Sequence, residues 1–79
     1  MLTIYSTPWC GYCVRLKRQL DTAGLPYEAV DIEQNPEAEQ IVRAANNGNA
    51  TVPTVVFADG TVMTNPSLRQ VTEKVTSAA

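Results

Sequence analysis

A chain of 79 residues has room for one small domain and a modest core, and its six basic and eight acidic side chains leave a net charge of −2. That balance speaks against a nucleic-acid partner, which needs a clustered basic surface. No run approaches the ~20 apolar residues of a membrane span, and the start, MLTIYS, has neither a basic n-region nor an apolar h-region, so a soluble cytoplasmic protein is expected.

Taken in chain order, Leu2 to Ser6 alternates apolar and polar and ends at Thr7-Pro8, the pattern of a strand with a stop. From Cys10 the apolar positions fall at Cys13, Leu16, Leu20 and Ala23, a helical stripe, with Gly24 placed as its C-cap. Pro26 to Ile32 reads as a second strand. Asn35-Pro36 then supplies a cap and a first-turn proline, Glu37 and Glu39 suit the positive end of a helix, and that helix fades at Asn46-Asn47-Gly48.

The stretch TVPTVVFADGTVMT predicts a hairpin: a strand to Ala58, Asp59-Gly60 as the turn, then Thr61 to Met63. Asn65-Pro66 repeats the cap signature before a last helix with Leu68, Val71 and Val75 on one face. The result is an α/β chain of order βαβαββα. Its first βαβ unit requires parallel strands and its hairpin an antiparallel pair, so a four-stranded mixed sheet flanked by three helices is expected, as one domain over residues 1–79.

The only two cysteines, Cys10 and Cys13, are separated by two residues. A bridge between them would enclose almost no chain and add little to folding. Zinc needs four ligands, and this chain offers two cysteines and no histidine. The missing histidine also excludes a Cys-His nucleophile pair. What remains is thiol–disulfide exchange. Cys10 falls near the N-cap of the first helix, where unpaired N–H groups and the helix dipole favour a thiolate. Cys13 lies one turn further in on the same face, within reach of the first sulfur but with less solvent. Cys10 would attack and Cys13 would resolve. Arg15, Lys17 and Arg18 precede any acid in the chain, whereas Asp21 to Glu39 carries six acids and no base, so the pair sits in the basic part of an acidic protein. The three cations fit equally well as a solvated helix face.

Pro53 precedes residues 55–57, which read as a central strand, an unusual place for a residue without a ladder donor. It is either a strand-start proline or a cis proline facing the cysteines, with the backbone at Val52 left to bond an extended thiol ligand. Trp9 and Tyr12 flank the cysteines as rim aromatics, with Tyr12 better placed against a ligand, and Tyr5 and Phe57 are expected in the core.

Trp9-Cys10-Gly11-Tyr12-Cys13 after a short first strand, with Thr51-Val52-Pro53 opening the third, resembles the glutaredoxin branch of the thioredoxin-like fold, and the resemblance covers nearly the whole chain. Within that branch the segment GNATVPTVVFADGTVMTNPS is similar to the mycoredoxins. The resemblance implies that Cys10 attacks mycothiol–protein mixed disulfides, that Cys13 resolves, and that Tyr12, Thr51, Val52 and Pro53 form a groove for the small thiol. It further implies mycothiol as reducing co-substrate with no tightly bound cofactor, mycothiolated proteins as substrates, a flavoenzyme mycothiol disulfide reductase renewing the pool, and a monomer.

Glutathione users carry a Gly-Gly pair and an acid at the last helix, whereas this chain reads Thr64-Asn65-Pro66-Ser67. Mycothiol presents a neutral sugar and inositol, for which Thr64 and Asn65 are candidate partners. Asn65 fits equally as a helix cap. Three alternatives stand beside this reading. The chain could use glutathione, it could be a ribonucleotide-reductase-linked redoxin fed by thioredoxin reductase, or it could bridge an iron–sulfur cluster as a dimer, since Gly11 stands where many relatives have proline.

Overall fold

Leu2, Ile4 and Ser6 are buried on one face of the first strand while Thr3 and Tyr5 are half-buried on the other, so both faces of this strand must be covered. That requirement organises the computed structural model, which describes residues 2–77. The elements are β1 (Leu2–Ser6), α1 (Gly11–Ala23), β2 (Tyr27–Asp31), α2 (Pro36–Ala45), β3 (Thr54–Val56), β4 (Val62–Thr64) and α3 (Leu68–Ser77). The four strands form one sheet in the order β2-β1-β3-β4. β1 and β2 run parallel with Ile4 opposite Ala29, and β3 is antiparallel to both β1 and β4, Val55 facing Ile4 and Met63.

Two apolar clusters fill the two faces. Leu2, Ile4, Val55 and Phe57 from the sheet side meet Leu16 and Leu20 of α1 and Val71 of α3. On the opposite side Ile32 packs with Ala38 and Val42 of α2, joined by Tyr5, Val30 and Val52. Tyr5 and Phe57 thus contribute to different layers. Ala23 does not join the buried stripe. It is exposed, and the inward face of α1 ends at Leu20. Directly after Ala23, Gly24 takes a left-handed φ of 73°, and Leu25 N–H closes back on Leu20 O at 3.0 Å, a helix stop that a side chain would strain.

The hairpin is shorter than the sequence suggests. Its strands stop at Val56 and start at Val62, because the turn takes three residues and not two. Gly60 N–H bonds Phe57 O at 2.9 Å and Phe57 N–H bonds Thr61 O at 2.8 Å. A two-residue Asp-Gly turn needs positive φ at both positions, and here only Gly60, at 90°, has it. Asp59 instead accepts the Thr61 N–H and pairs with Lys74 of α3 at 2.7 Å, which holds its carboxyl well below the usual range.

Asn65 does not cap the last helix. It turns the chain at a φ of 47° while its N–H donates to Pro53 O at 2.7 Å, continuing the β3–β4 pairing. The cap is Ser67, whose Oγ accepts from Gln70 N at 3.1 Å while Gln70 Oε1 accepts from Ser67 N at 2.8 Å, a reciprocal capping box. The buried stripe predicts a sharp difference between two truncations. Leu20→Ala, at a site with no exposure, should cost about 2–5 kcal/mol, and Val62→Ala, at an exposed site, should fall within about 0.5 kcal/mol of the unmutated protein in urea unfolding.

Candidate active site

α1 begins where β1 ends, and the cap position at that junction is a cysteine. Cys10 has extended backbone, φ −83° and ψ 111°, so its side chain folds back over the first turn. Its Sγ accepts the Cys13 N–H at 3.3 Å, and its carbonyl accepts the Val14 N–H at 3.1 Å. Serine or aspartate would cap more strongly, since sulfur is a weak acceptor. The sequence gives up part of a contact worth about 1 kcal/mol to seat sulfur there. The first turn of α1 also carries no acid, whereas α2 has Glu37 and Glu39 in its first turn and Asn35 as its cap. The positive end of α1 is therefore left for the sulfur alone.

The two sulfurs, both free thiols, sit in different surroundings. Cys10 retains 7% of its surface and Cys13 none. Burial pushes the Cys13 thiol up to about 12, with its side-chain hydrogen bond to Cys10 acting in the same direction, while a backbone bond at Thr7 and the charge of Lys17 only partly oppose this. The Val52–Pro53 peptide is cis, and Val52 O lies 3.8 Å from Cys10 Sγ, within range of a weak S–H···O bond when the thiol carries its proton. Pro53 is buried and Val52 half-buried beside it. Cys10, Cys13, Val52 and Pro53 are therefore brought together, which matches the second of the two readings of Pro53.

The other expected residues separate into distinct places. Trp9 is 71% exposed beside Cys10, and its indole Nε1 donates to Glu33 Oε2 at 2.9 Å, tying it to the loop after β2. Tyr12, 64% exposed, stands on the opposite side and lines a groove between α1 and the segment leading into α3. Asn65 lines the same groove. Thr64 has its hydroxyl proton committed, donating to Asn46 Oδ1 at 2.6 Å, so it offers a ligand no donor in this arrangement. Thr51 acts through its carbonyl, which accepts from Thr54 Oγ1 at 2.7 Å.

Asn46 is the residue that sequence reasoning missed. It reads as the fading end of α2, yet its Nδ2 donates to Val42 O at 2.7 Å and to Thr54 Oγ1 at 3.1 Å while its Oδ1 receives Thr64. One side chain thus ties α2 to both strands that carry the Pro53 turn. No local signal could have shown this, because its strand partners lie eight and eighteen positions away. Ser67-x-x-Gln70, by contrast, has the spacing of a capping box and was legible. Among the described residues no three His, Cys, Asp or Glu side chains gather as a metal site, and no helix is long and apolar enough to cross a membrane.

The buried Cys13 sets an alkaline limit on the reduced protein. Below the ordinary thiol range, about pH 8.5, folded and unfolded chains both hold its proton and its contribution to stability is complete. As pH rises toward about 12, only the unfolded chain ionises there, so this contribution is lost. Urea midpoints measured between those limits should fall more steeply for the reduced protein than for Cys13→Ser; parallel curves would show that burial does not hold the proton.

Comparison with known proteins places the chain. The glutaredoxin family profile matches residues 2–63. A Mycobacterium tuberculosis protein provisionally named as a glutaredoxin is 53% identical over 78 residues, spanning 99% of this chain and 93% of its own. Mycoredoxin 1 of Corynebacterium glutamicum is 44% identical over 78 residues, 99% of this chain and 96% of its own. Among solved structures, the thioredoxin-like protein BC3987 superposes with a TM-score of 0.77 at 25% identity, covering 92% of this chain and 97% of that one. The glutaredoxin-like NrdH-redoxin of Escherichia coli does so with 0.69 at 28% identity, covering 80% and 79%. A paired-thiol turn at a helix start thus coincides with a family match over most of the sequence, and the chain belongs to the glutaredoxin family as a thiol–disulfide oxidoreductase.

Proposed function

We propose that this protein reduces mixed disulfides between mycothiol and proteins, with Cys10 as nucleophile. The observation that carries the reading is the inequality of the two sulfurs. Cys10 reaches the surface at the helix start and accepts an N–H, while Cys13 is fully buried and holds its proton.

The Cys10 thiolate attacks the mycothiol sulfur of the substrate. A Cys10–mycothiol disulfide forms, the bond from mycothiol to the protein sulfur breaks, and the departing protein thiolate takes a proton from water. The thiolate of a second mycothiol then attacks the bound mycothiol sulfur, releasing Cys10 as thiolate and giving mycothiol disulfide, which a flavoenzyme reductase returns to the thiol. In the alternative exit Cys13 attacks Cys10 Sγ, expels mycothiol and leaves an internal disulfide. That exit needs the fully buried Cys13 to give up its proton as it attacks, and we read the one-cysteine route as the one that carries the turnover.

The choice of mycothiol over glutathione is supported by the start of α3. It has neither a glycine pair nor an acid, and its Ser67 and Gln70 N–H groups are already taken by the capping box. The 44% identity to Mycoredoxin 1 points the same way. The protein is read as a cytoplasmic monomer with no resident cofactor, in which Trp9, Tyr12, Thr51, Val52, Pro53 and Asn65 surround the small thiol. Thr64 contributes by holding the turn through Asn46.

Rates measured on one protein substrate carrying either mycothiol or glutathione should differ by at least about tenfold in kcat/KM in favour of mycothiol, about 1.4 kcal/mol of transition-state binding. Equal rates would refute the choice of thiol. Cys13→Ser should retain most of the mycothiol-dependent turnover and Cys10→Ser should retain none; equal loss in both would show that only the dithiol route operates. The likeness to NrdH-redoxin favours a second reading, in which thioredoxin reductase is the electron donor. Rapid NADPH oxidation with that reductase and no small thiol would establish it.

A further inference from the structure

We infer that Asn46 is a positioning residue for the reaction: its side-chain amide, acting through Thr54, holds the Thr51–Pro53 turn in the place over Cys10 where a disulfide substrate docks. The inference rests on Cys10 as nucleophile and not on which small thiol the protein uses. Asn46 is half-buried at the end of α2, and its side-chain hydrogen bonds go to Val42, Thr54 and Thr64, none of them a reacting group. Any effect it has on the chemistry must therefore pass through a neighbour.

The direction of the bonds shows which neighbour. The amide nitrogen has two N–H donors and both are used, one on Val42 O at 2.7 Å and one on Thr54 Oγ1 at 3.1 Å. Thr54 has a single hydroxyl proton. With its oxygen already accepting from Asn46, that proton goes to Thr51 O at 2.7 Å. On the other side of the turn, Pro53 O accepts the Asn65 N–H at 2.7 Å. The carbonyls before and after Val52 are thus anchored to Thr54 and Asn65, and the one between them, Val52 O, is left facing Cys10 Sγ at 3.8 Å. Apolar packing cannot set the entry to this turn, because the chain is exposed from Asn47 to Thr51. The amide is also the right chemistry for the position. A carboxylate there would hold no donor, would draw the Thr54 proton to itself, and would leave Thr51 O unheld.

The test uses the full reduced chain and its variants Asn46→Asp, Thr54→Val and the pair combined, each confirmed as folded by circular dichroism. Oxidation of Cys10 is followed by the fluorescence of Trp9, the only tryptophan. Three disulfides are supplied in excess: a tryptophan-free peptide carrying mycothiol, the same peptide carrying glutathione, and bis(2-hydroxyethyl) disulfide. The first two present their sulfur on a cysteinyl amide that can pair with the Val52 backbone, and the third has no amide. Each single variant should raise the half-saturating concentration of both peptides by about two- to tenfold, the loss of one neutral hydrogen bond, with the limiting rate kept. The rate with bis(2-hydroxyethyl) disulfide should not move. The combined variant should be no worse than the weaker of the two singles, because both break the same link.

Unmoved half-saturation, or an equal loss with bis(2-hydroxyethyl) disulfide, overturns the positioning role, and additive losses overturn the path through Thr54. If Asn46→Asp does not fold, Thr54→Val alone decides, since it removes the same donor from Thr51 O. Equal rates with the two peptides in the unmutated protein would remove the preference for mycothiol and leave this inference standing. Reaction persisting in Cys10→Ser would remove the nucleophile, and the inference with it.

Discussion

The hydrogen bond from Cys13 N–H to Cys10 Sγ is the contact around which the site is arranged. It exists because a helix start has donors to satisfy and the cap side chain offers an acceptor, here a sulfur. The same bond orients the pair. A residue three places after a cap lies one turn inward, so the geometry that places Cys10 at the rim also drives Cys13 into the protein. Nothing further is needed to make two chemically identical side chains unequal. Burial is complete at Cys13 and holds its proton, while Cys10 keeps a small exposed edge.

The sheet supplies the opposing wall. β3 lies next to β1, so the turn before β3 comes up beside the residues that follow β1, and the cis Val52–Pro53 peptide ends within 3.8 Å of Cys10. This proximity is held from behind by polar contacts and not only by apolar packing. Asn46 reaches from the end of α2 to Thr54 and Thr64, and Thr54 in turn bonds Thr51 O. Thr54 is fully buried, and leaving such a hydroxyl unpaired would cost about 1–3 kcal/mol, so this network fixes the turn as firmly as an apolar contact of similar size.

α1 and α2 begin alike in form and unlike in purpose. α2 carries an amide cap and two acids, the full complement for a stable start, and contributes packing. α1 carries a weak sulfur cap and no acid, and contributes the reactive group. α3 is a third case, closed on itself by the reciprocal bonds of Ser67 and Gln70. The stability surrendered at α1 is recovered along its inward face, where Leu16 and Leu20 are buried against the sheet.

Periodicity, caps and the spacing of two cysteines determined the element order, the mixed sheet and the redox pair, because each depends on residues within a few positions of one another. Local rules failed where a choice depended on distant partners. Asn65 has a cap's sequence but not its role, since its backbone turns at a left-handed φ beside Pro53 and Ser67 caps the helix instead. Asp59-Gly60 has the letters of a two-residue turn, but the strand pairing sets a three-residue one. Thr64 looked available to a ligand until Asn46, eighteen positions earlier, claimed its proton. Whether a polar side chain is free to act is decided by what tertiary packing brings beside it, and hydrogen-bond partners drawn from separate elements leave no periodic trace in the sequence.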